Sequence, residues 1–494
     1  MNHPEQPTSA SPFPSEVIAL AAVYFFVTFL VRLALPPGLR MDESQQVFLS
    51  QWLTAGYDAQ PPLYNWVQRL VFELTQNYVL GLAALKGVVL AAVIATYAKL
   101  AHMVLKDRAF TLMATLGLFL TPQFFWQAQR DLSHTTATLL FVNLTLMATV
   151  RTVERPATIN YLLLGAAIGL GMLTKYNFAL FVAGLAVATV LTRQGRQSLL
   201  NWRFALTILI AGLVFLPHAI WLFNHLAVAS SVTVARMAED AGNNSRSLQI
   251  LIGLANLVLM TAIAVAPAVI LFGLAFGRPT LHLVRRPHQW DRFFTLLPTA
   301  ILMILVVLIL ATTFTTFRDR WLLPLLQYAP ISLCLLLQAA GVDAERGWQR
   351  IWRGVIIMAL AIPVALLVVG LADKTSHYRK PYGEFTAQLR RELPVEPGLI
   401  ITNDWHTAGN MKAQWPAVPV MAVDFPNLQL TPIAGRPILL VWRDDADLPA
   451  SIQTWLSTNL GRQADTREAR ALSLPYTGGD DSKVSSFHYI LLAP

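Results

Sequence analysis

The stretch EVIALAAVYFFVTFLVRLAL occupies residues 16–35, with one acidic residue at its start and one basic residue near its end. A helix of about 20 apolar residues is long enough to cross the ~30 Å hydrocarbon core of a bilayer. In hydrocarbon each backbone amide must be satisfied within its own segment, so such runs must be helices. The pattern predicts a polytopic α-helical membrane protein with about eleven transmembrane helices. The further runs lie near 77–104, 109–127, 132–150, 159–176, 177–192, 203–224, 248–276, 293–316, 321–340 and 354–372.

The overall composition supports the membrane class. Hydrophobic residues make up 55% of the 494 residues, charged residues only 13%, and the mean hydropathy is +0.50. A soluble globular chain normally carries fewer apolar residues than this. The net charge of +9 comes largely from loop arginines. These suit an anionic lipid leaflet, so no nucleic-acid partner is predicted.

The basic residues of the loops predict how the helices are oriented. Cytoplasmic loops of membrane proteins carry an excess of lysine and arginine. We therefore expect the N-terminal tail, 1–15, to be cytoplasmic and the first span to be a retained signal anchor. The segment 36–75 and the chain after residue 373 then lie on the extracytoplasmic face. Every second loop is basic, namely those near 99–108, 151–155, 193–203, 278–292 and 346–353.

After Asp373 the long apolar runs give way to short ones. Strand-length apolar runs without alternation are typical of buried strands, and helix-like stretches lie between them. We therefore predict that 373–494 forms a small extracytoplasmic α/β domain with a mostly parallel sheet, following a transmembrane domain at 16–372. The strand-like runs are Gly398–Thr402, Pro419–Val423, Pro437–Trp442 and His488–Leu492, and the helix-like stretches are Tyr382–Leu393, Thr407–Trp415 and Leu448–Leu460.

The acidic pair Asp42-Glu43 lies just past the first span, in the segment 36–75. That segment contains two amphipathic stretches, Gln45–Leu53 and Tyr64–Leu74, whose apolar residues are expected to lie in the membrane interface. Carboxylates held at a lipid boundary are partly desolvated, which raises their pKa and makes them better bases. The alternative is that Asp42 only caps a helix that begins near Ser44.

Three further polar turns fall on the same predicted face. Arg130 and Asp131 precede the fourth span, Lys175 lies between the fifth and sixth, and the pair Arg318 and Arg320 precedes the tenth. Several cations above a carboxylate cluster would bind a lipid phosphate. Two plainer explanations stay open: Asp131 as a helix cap, and long cationic side chains that merely reach the membrane surface.

The order of these motifs resembles that of the GT-C glycosyltransferases. The most similar subgroup is the bacterial branch that holds the aminoarabinose and galacturonic acid transferases of lipid A and lipopolysaccharide core, related to protein O-mannosyltransferases. The resemblance covers roughly 15–340 and is weaker beyond. The motifs that carry it are Asp42-Glu43, Pro61-Pro62-Leu63, Arg130-Asp131, Leu173-Thr174-Lys175 and Arg320-Trp321-Leu322-Leu323-Pro324.

The resemblance implies a multi-pass enzyme of the bacterial inner membrane whose active site faces the periplasm. Such enzymes take a sugar from a polyprenyl-phosphate donor and give it to an acceptor. The acidic residue of their Asp-Glu motif is the catalytic base, which carries over to Asp42, with Glu43 as its neighbour. Asp131 matches their second acidic position. The sugar stays open, and so does the acceptor: lipid A, lipopolysaccharide core, another envelope glycan or a protein.

The resemblance also implies substrate-binding positions. Many relatives carry Lys or His before the Pro-Pro pair, where this chain has Gln60, so Lys175, Arg318 or Arg320 would take a larger share of phosphate recognition. Cations can stabilise a leaving phosphate in place of a metal. No metal site and no required cofactor are therefore predicted, with dependence on a divalent metal left open, and the protein is expected to be a monomer among membrane lipids. The substrate-binding positions are Gln60, Tyr64, Arg130, Lys175, Arg318 and Arg320.

The competing functional class is a transporter or flippase of lipid-linked sugars. A transporter needs polar or charged residues at mid-membrane along a pathway, and often inverted repeats. The predicted spans are apolar at their centres, and the charged residues cluster at one face. The distribution favours an enzyme.

Overall fold

The computed structural model describes residues 12–57, 60–119, 121–239, 242, 244–277, 290–393, 395–479 and 483–493. Most of the predicted cytoplasmic tail and most of the basic loop 278–292 lie outside the described residues. The helices before residue 240 are α1 (Glu16–Ala34), α2 (Met41–Leu49), α3 (Leu63–Thr75), α4 (Tyr78–Leu105), α5 (Arg108–Phe119), α6 (Ala128–Arg130), α7 (Ser133–Glu154), α8 (Thr158–Met172), α9 (Phe178–Leu191), α10 (Arg193–Leu199), α11 (Phe204–Asn224) and α12 (Leu226–Met237). The later helices are α13 (Arg246–Phe276), α14 (Asp291–Ala311), α15 (Asp319–Leu326), α16 (Ala329–Ala339), α17 (Ala344–Ala372), α18 (Tyr382–Glu392), α19 (Trp405–Gln414) and α20 (Ala450–Leu460).

Seven of the described helices are long and apolar enough to cross a membrane: α1, α4, α7, α11, α13, α14 and most of α17. Three bent pairs raise the number to as many as ten. They are α5 with Gln123–Arg130, α9 with α10, and α15 with α16. The remaining predicted span is the shorter apolar helix α8. All the predicted spans thus coincide with apolar helices.

One compact unit consists of the described residues within 12–26, 60–61 and 87–362. Its helices pack closely where small residues face a neighbour. Gly165 and Gly169 are four residues apart on α8 and lie against α11, where an added Cβ would come within 2.6 Å of Thr207 O and 2.7 Å of Val214 Cβ. This spacing of small residues lets membrane helices approach one another closely. It places the turn that follows α8, which carries Lys175.

The other unit consists of the described residues within 27–57, 62–86 and 363–493. Its sheet has five strands in the order β2-β1-β3-β5-β4. One layer of buried side chains joins the sheet to α2, α18 and α19, and a second joins it to α20. The strands are β1 (Leu399–Thr402), β2 (Val420–Ala422), β3 (Ile438–Arg443), β4 (Arg470–Pro475) and β5 (Val484–Leu492).

The sheet is mixed, so the prediction of a mostly parallel sheet was wrong. β1 pairs in parallel with β2 and β3, but β5 runs antiparallel to both β3 and β4. β4 was not predicted, because its side chains are exposed or only half-buried and it ends at Pro475. An edge strand of this kind lacks the continuous apolar run of a buried strand.

The two helices of the segment 36–75 differ in what they bury. The prediction that both lie in the membrane interface does not hold for α2, because Val47, Phe48 and Leu49 are at most 1% exposed and pack inside the protein. The ring of Phe48 lies 5.3 Å from that of Phe425. α3 instead exposes an apolar stripe, Val67, Leu70 and Leu74, as an interfacial helix does.

Candidate active site

The acidic pair lies in the first turn of α2. The helix begins at Met41, and the backbone N–H of its N-cap residue, Arg40, donates to Glu43 Oε2 at 3.0 Å. A side-chain acceptor at the third helical position satisfies a free N–H of a helix start. Glu43, not Asp42, therefore does the capping, and the helix begins before Ser44. The alternative reading of Asp42 as the helix cap does not fit this geometry.

Glu43 is engaged in a buried ion pair. Arg32 Nε lies 2.6 Å from Glu43 Oε1, and Arg32 Nη2 donates to Oε2 at 3.0 Å. Burial raises the pKa of Glu43, but the charge and hydrogen bonds of Arg32 outweigh it, so the pKa lies below its usual value. Glu43 thus stays ionised with both oxygens bound. Asp42 is half-buried, so of the pair it is the less buried residue.

Two of the predicted substrate-binding residues flank the Pro61-Pro62 pair. Tyr64 lies in the first turn of α3 and is buried, with 3% of its surface exposed. Gln60 is half-buried, and its Oε1 accepts no hydrogen bond from the part of the chain that the structure describes. A buried acceptor without a hydrogen-bond partner costs free energy. Gln60 therefore offers a binding group to a ligand or to water.

A cavity of about 570 Å³ brings together four of the predicted residues. Arg130 and Asp131 line it from the end of α6, and Arg318 and Arg320 from the start of α15. The two pairs are far apart in sequence and are brought close together only by the fold. Its lining consists of Trp126, Gln127, Arg130, Asp131, Leu132, Met260, Phe317, Arg318, Asp319 and Arg320.

Asp131 lies in an irregular stretch of backbone. A π-helix, Gln123–Gln127, precedes it, and Leu132 follows with φ 66° in the left-handed region. π-helical turns and left-handed non-glycine residues occur often at functional sites. Leu132 is the N-cap position of α7, so Asp131 lies one residue before that helix start.

Asp319 is a residue of this cavity to which sequence reasoning assigned no role. Its Oδ2 accepts hydrogen bonds from Gln123 Nε2 at 3.0 Å and from Gln127 Nε2 at 3.1 Å. The two glutamines are four residues apart on the π-helix and so lie on one face. That spacing was the only signal available in the sequence, because the contact spans 196 positions.

The arginines of the cavity differ in how firmly they are held. Arg130 lies over the Trp126 ring at 5.2 Å. Arg318 pairs with the exposed Glu239 at 3.1 Å. The side chain of Arg320 makes no hydrogen bond or ion pair within the described residues, and Arg320 is half-buried. The lining contains three guanidinium groups and two carboxylates, and a planar guanidinium can bind phosphate or carboxylate through two parallel hydrogen bonds.

Lys175 does not line this cavity but lies in the same unit. Its Nζ donates to Thr135 Oγ1 in the first turn of α7 at 2.9 Å. Two residues on, Asn177 Nδ2 donates to the backbone oxygen of Trp321 at 3.0 Å. The turn that carries Lys175 is thus tied to the segment that carries Arg320. Among the described residues no group of three or more His, Cys, Asp or Glu side chains could hold a metal ion.

Comparison with known proteins identifies the family. A model of the dolichyl-phosphate-mannose-protein mannosyltransferase family matches residues 59–221. The chain is 33% identical over 483 residues to the lipopolysaccharide core galacturonosyltransferase RgtB of Rhizobium johnstonii, covering 96% of this chain and 97% of that protein. It is 35% identical over 492 residues to RgtA, a lipopolysaccharide core galacturonosyltransferase of the same organism, with the same coverage. The chain belongs to the GT-C glycosyltransferases.

The fold of this GT-C protein is also found among solved structures. It is similar to ArnT from Cupriavidus metallidurans bound to undecaprenyl phosphate, with a TM-score of 0.56, 15% identity and coverage of 96% of this chain and 98% of that one. The apo state of ArnT gives a TM-score of 0.53. The predicted fold class is confirmed. Family membership also decides between the two functional classes: this GT-C protein is a membrane glycosyltransferase.

Proposed function

We propose that this GT-C protein transfers a uronic acid, galacturonic acid, from a polyprenyl-phosphate donor to a hydroxyl of a lipopolysaccharide core glycolipid. The observation that carries the proposal is the near full-length identity of 33% and 35% to two proteins named for that transfer. The donor class is supported by the shared fold with ArnT, which binds undecaprenyl phosphate. We place the protein in the bacterial inner membrane, with the reaction on the periplasmic side, on the strength of its alternating basic loops.

Asp42 is the proposed general base. It takes the proton of the acceptor hydroxyl while that oxygen attacks the anomeric carbon in line with the donor phosphate. The bond between the anomeric carbon and the phosphate oxygen breaks, and its electron pair leaves with the polyprenyl phosphate. The half-buried position of Asp42, beside a fully engaged Glu43, supports this division of roles.

The arginine-lined cavity is the proposed anion site. The donor carries two anionic groups, the phosphodiester and the uronate carboxylate, and the phosphate gains a further negative charge as it leaves. Arg130, Arg318 and Arg320 are suited to both, because charge-assisted guanidinium hydrogen bonds strengthen as charge develops. Asp131 and Asp319 are suited to accept hydrogen bonds from sugar hydroxyls. Gln60, Tyr64 and Lys175 stay proposed substrate-binding residues.

The arginines take the role that a metal ion plays in other transferases, so we propose that no cofactor is required. The test is transfer of radiolabelled galacturonic acid from its polyprenyl phosphate to core glycolipid in proteoliposomes containing EDTA. We expect Asp42→Asn to lower transfer by about 10²–10⁴-fold, because shape is kept and basicity is lost.

The matched control for this variant is Asp447→Asn, which neutralises an exposed aspartate of the second unit. It should leave transfer unchanged. Equal rates for wild type and Asp42→Asn would remove Asp42 from the mechanism. Failure of the wild type to label core glycolipid, with label going to another acceptor, would overturn the proposed substrate but keep the transferase class.

A further inference from the structure

The short segment between α1 and α2 is held at almost every backbone group. Arg32, in the last turn of α1, donates to Gly38 O at 3.1 Å and to Pro36 O at 3.4 Å. The N–H of Gly38 donates to the backbone oxygen of Tyr378 at 3.0 Å. A Cβ at residue 38 would lie 2.4 Å from that same oxygen, so only glycine allows this approach. The segment leads directly into the turn that carries Asp42.

Two side chains of α19 hold both polar backbone groups of Leu39. The N–H of Leu39 donates to Asn410 Oδ1 at 3.1 Å, and His406 Nε2 lies 3.2 Å from Leu39 O. Because a carbonyl oxygen only accepts, Nε2 of His406 carries the proton. Leu39 itself is 1% exposed, so water does not compete for these groups.

The structure of α19 places His406 and Asn410 next to Leu39. His406 and Asn410 are four residues apart and therefore share one face of the helix. Asn410 Nδ2 donates to His406 O at 2.9 Å, which fixes the amide so that its oxygen faces Leu39. Gly409 lies on the same side, and a Cβ there would come within 2.0 Å of Ser44 O. The start of α2 thus rests directly against α19. Both side chains are at most 4% exposed.

We propose that Asn410 and His406, in the C-terminal part of the chain, are positioning residues for Asp42: by holding Leu39 they set where the first turn of α2 presents its carboxylate. The inference rests on the proposed role of Asp42 as the base. It gives the C-terminal domain a role in the reaction that acts through the position of Asp42. Asp42 follows Leu39 by three residues in a segment whose backbone has little freedom, so a shift of Leu39 moves Asp42 with it.

Proton transfer depends steeply on such positions. A base must lie within hydrogen-bond reach of the proton that it takes, and a shift of about 1 Å can lower a rate by about 10²-fold. Loss of the Asn410 side chain leaves the Leu39 N–H buried and unpaired, which favours a displaced segment. The predicted signature is a fall in kcat with little change in KM for donor or acceptor, because the substrate contacts are untouched.

The experiment measures kcat and both KM values of the full-length protein in proteoliposomes, per folded molecule. Asn410→Ala and His406→Ala should each lower kcat by about 10- to 100-fold. His406→Gln should recover much of it, since its amide N–H can still donate to Leu39 O. The matched control is Gln453→Ala: Gln453 Oε1 also accepts a backbone N–H, that of Ala464 at 3.2 Å, but elsewhere in the same domain. It should leave kcat unchanged.

The outcomes separate this inference from the function on which it rests. Wild-type kcat in Asn410→Ala, together with an inactive Asp42→Asn, would overturn the positioning role and leave the proposed base in place. A loss of activity that only follows the folded fraction, equally in Gln453→Ala and with no rescue by His406→Gln, would show a structural role instead. Full activity in Asp42→Asn would overturn the base and the positioning role together.

Discussion

The turn that carries Asp42 and Glu43 and the cavity lined by Arg318 and Arg320 are both rich in charge, but they use it differently. In the turn, Glu43 and Arg32 are buried and bind each other through two hydrogen bonds. In the cavity, the side chain of Arg320 has no partner among the described residues, and that of Arg318 pairs with the exposed Glu239 and lies over the Trp321 ring. Charges already paired stabilise a structure, whereas charges left open can bind a ligand.

The two members of the acidic pair also differ from each other. The sequence presents Asp42 and Glu43 as two equal candidates. The structure gives Glu43 a partner for each oxygen and leaves Asp42 half-buried. A carboxylate with a lowered pKa and two bound oxygens is a poor base. We therefore expect the two residues to fail in different ways when they are changed.

The largest expected effect is on folding, from Glu43→Gln. The change leaves the buried Arg32 charge uncompensated, and breaking a buried pair on one side costs about 3–5 kcal/mol. We expect a large loss of folded protein in detergent, measured by the apparent melting temperature and by size-exclusion chromatography. The double variant Arg32→Met/Glu43→Met should regain part of the stability, because it leaves no unpaired charge.

Glu73→Gln is the matched control for this prediction. Glu73 also pairs with an arginine, Arg69 at 3.0 Å, but their side chains are 60% and 33% exposed. Exposed pairs contribute about 0–1 kcal/mol, so this variant should fold normally. A Glu43→Gln protein that folds like wild type but transfers no sugar would place Glu43 in the chemistry and erase the contrast with Asp42.

The next largest effect is on donor binding, from Arg320→Ala. A hydrogen bond to a charged group contributes about 1.5–3 kcal/mol, so donor affinity should fall by roughly 10- to 100-fold. Arg320→Lys should retain part of the affinity, since a point charge remains without the planar fork. Binding of polyprenyl phosphate to purified protein, measured by quenching of tryptophan fluorescence, checks this.

Arg318→Ala should weaken donor binding less than Arg320→Ala, because the charge of Arg318 is already partly neutralised by its ion pair with Glu239. Arg391→Ala, an exposed arginine of α18, is the control and should bind the donor normally. If Arg318→Ala and Arg320→Ala both bind the donor with wild-type affinity, the cavity is not the phosphate site, and its arginines only hold helix ends in place.

The helices of the fold were open to prediction from sequence, and the edge of the sheet was not. Long apolar runs have one physical outcome in lipid, so every predicted span coincides with an apolar helix or with a bent pair of helices. The buried strands β1 and β3 were recognised for the same reason, as continuous apolar runs. β4 is exposed along an edge and carries no such run, so only its pairing with β5 reveals it.

The sequence allowed the candidate residues of the site to be named, but not the residues that they contact. Motif order pointed to Asp42, Arg130 and Arg320 as polar groups of one predicted face. It could not show that Arg32, eleven positions before Glu43, neutralises that carboxylate. Nor could it show that Gln123 binds Asp319 across 196 positions. Such pairings depend on tertiary packing, which local sequence does not record.

The smallest expected effect is on the pH dependence of stability, through His406, which holds the segment before the turn that carries Asp42 and Glu43. Burial, together with the charges of Lys380, His377 and Arg443, lowers the pKa of His406 to about 2. In the unfolded chain a histidine binds a proton below about pH 6.5. The unfolded state therefore takes up a proton that folded His406 refuses, and stability falls as the pH drops below that value. This one group lowers the free energy of unfolding by up to about 1.4 kcal/mol for each pH unit below that value.

His406→Gln isolates this contribution, because glutamine can still donate to Leu39 O and does not titrate. We expect the apparent melting temperature of the wild type to fall more steeply between pH 7 and pH 5 than that of the variant, with the two converging in slope above pH 7. Other histidines add to both curves equally, so the difference belongs to residue 406. Parallel curves would mean that His406 accepts a proton in the folded protein. Its Nε2 would still donate to Leu39 O, because the added proton goes to Nδ1, so the hydrogen bond that holds the segment before Asp42 would be present in both protonation states.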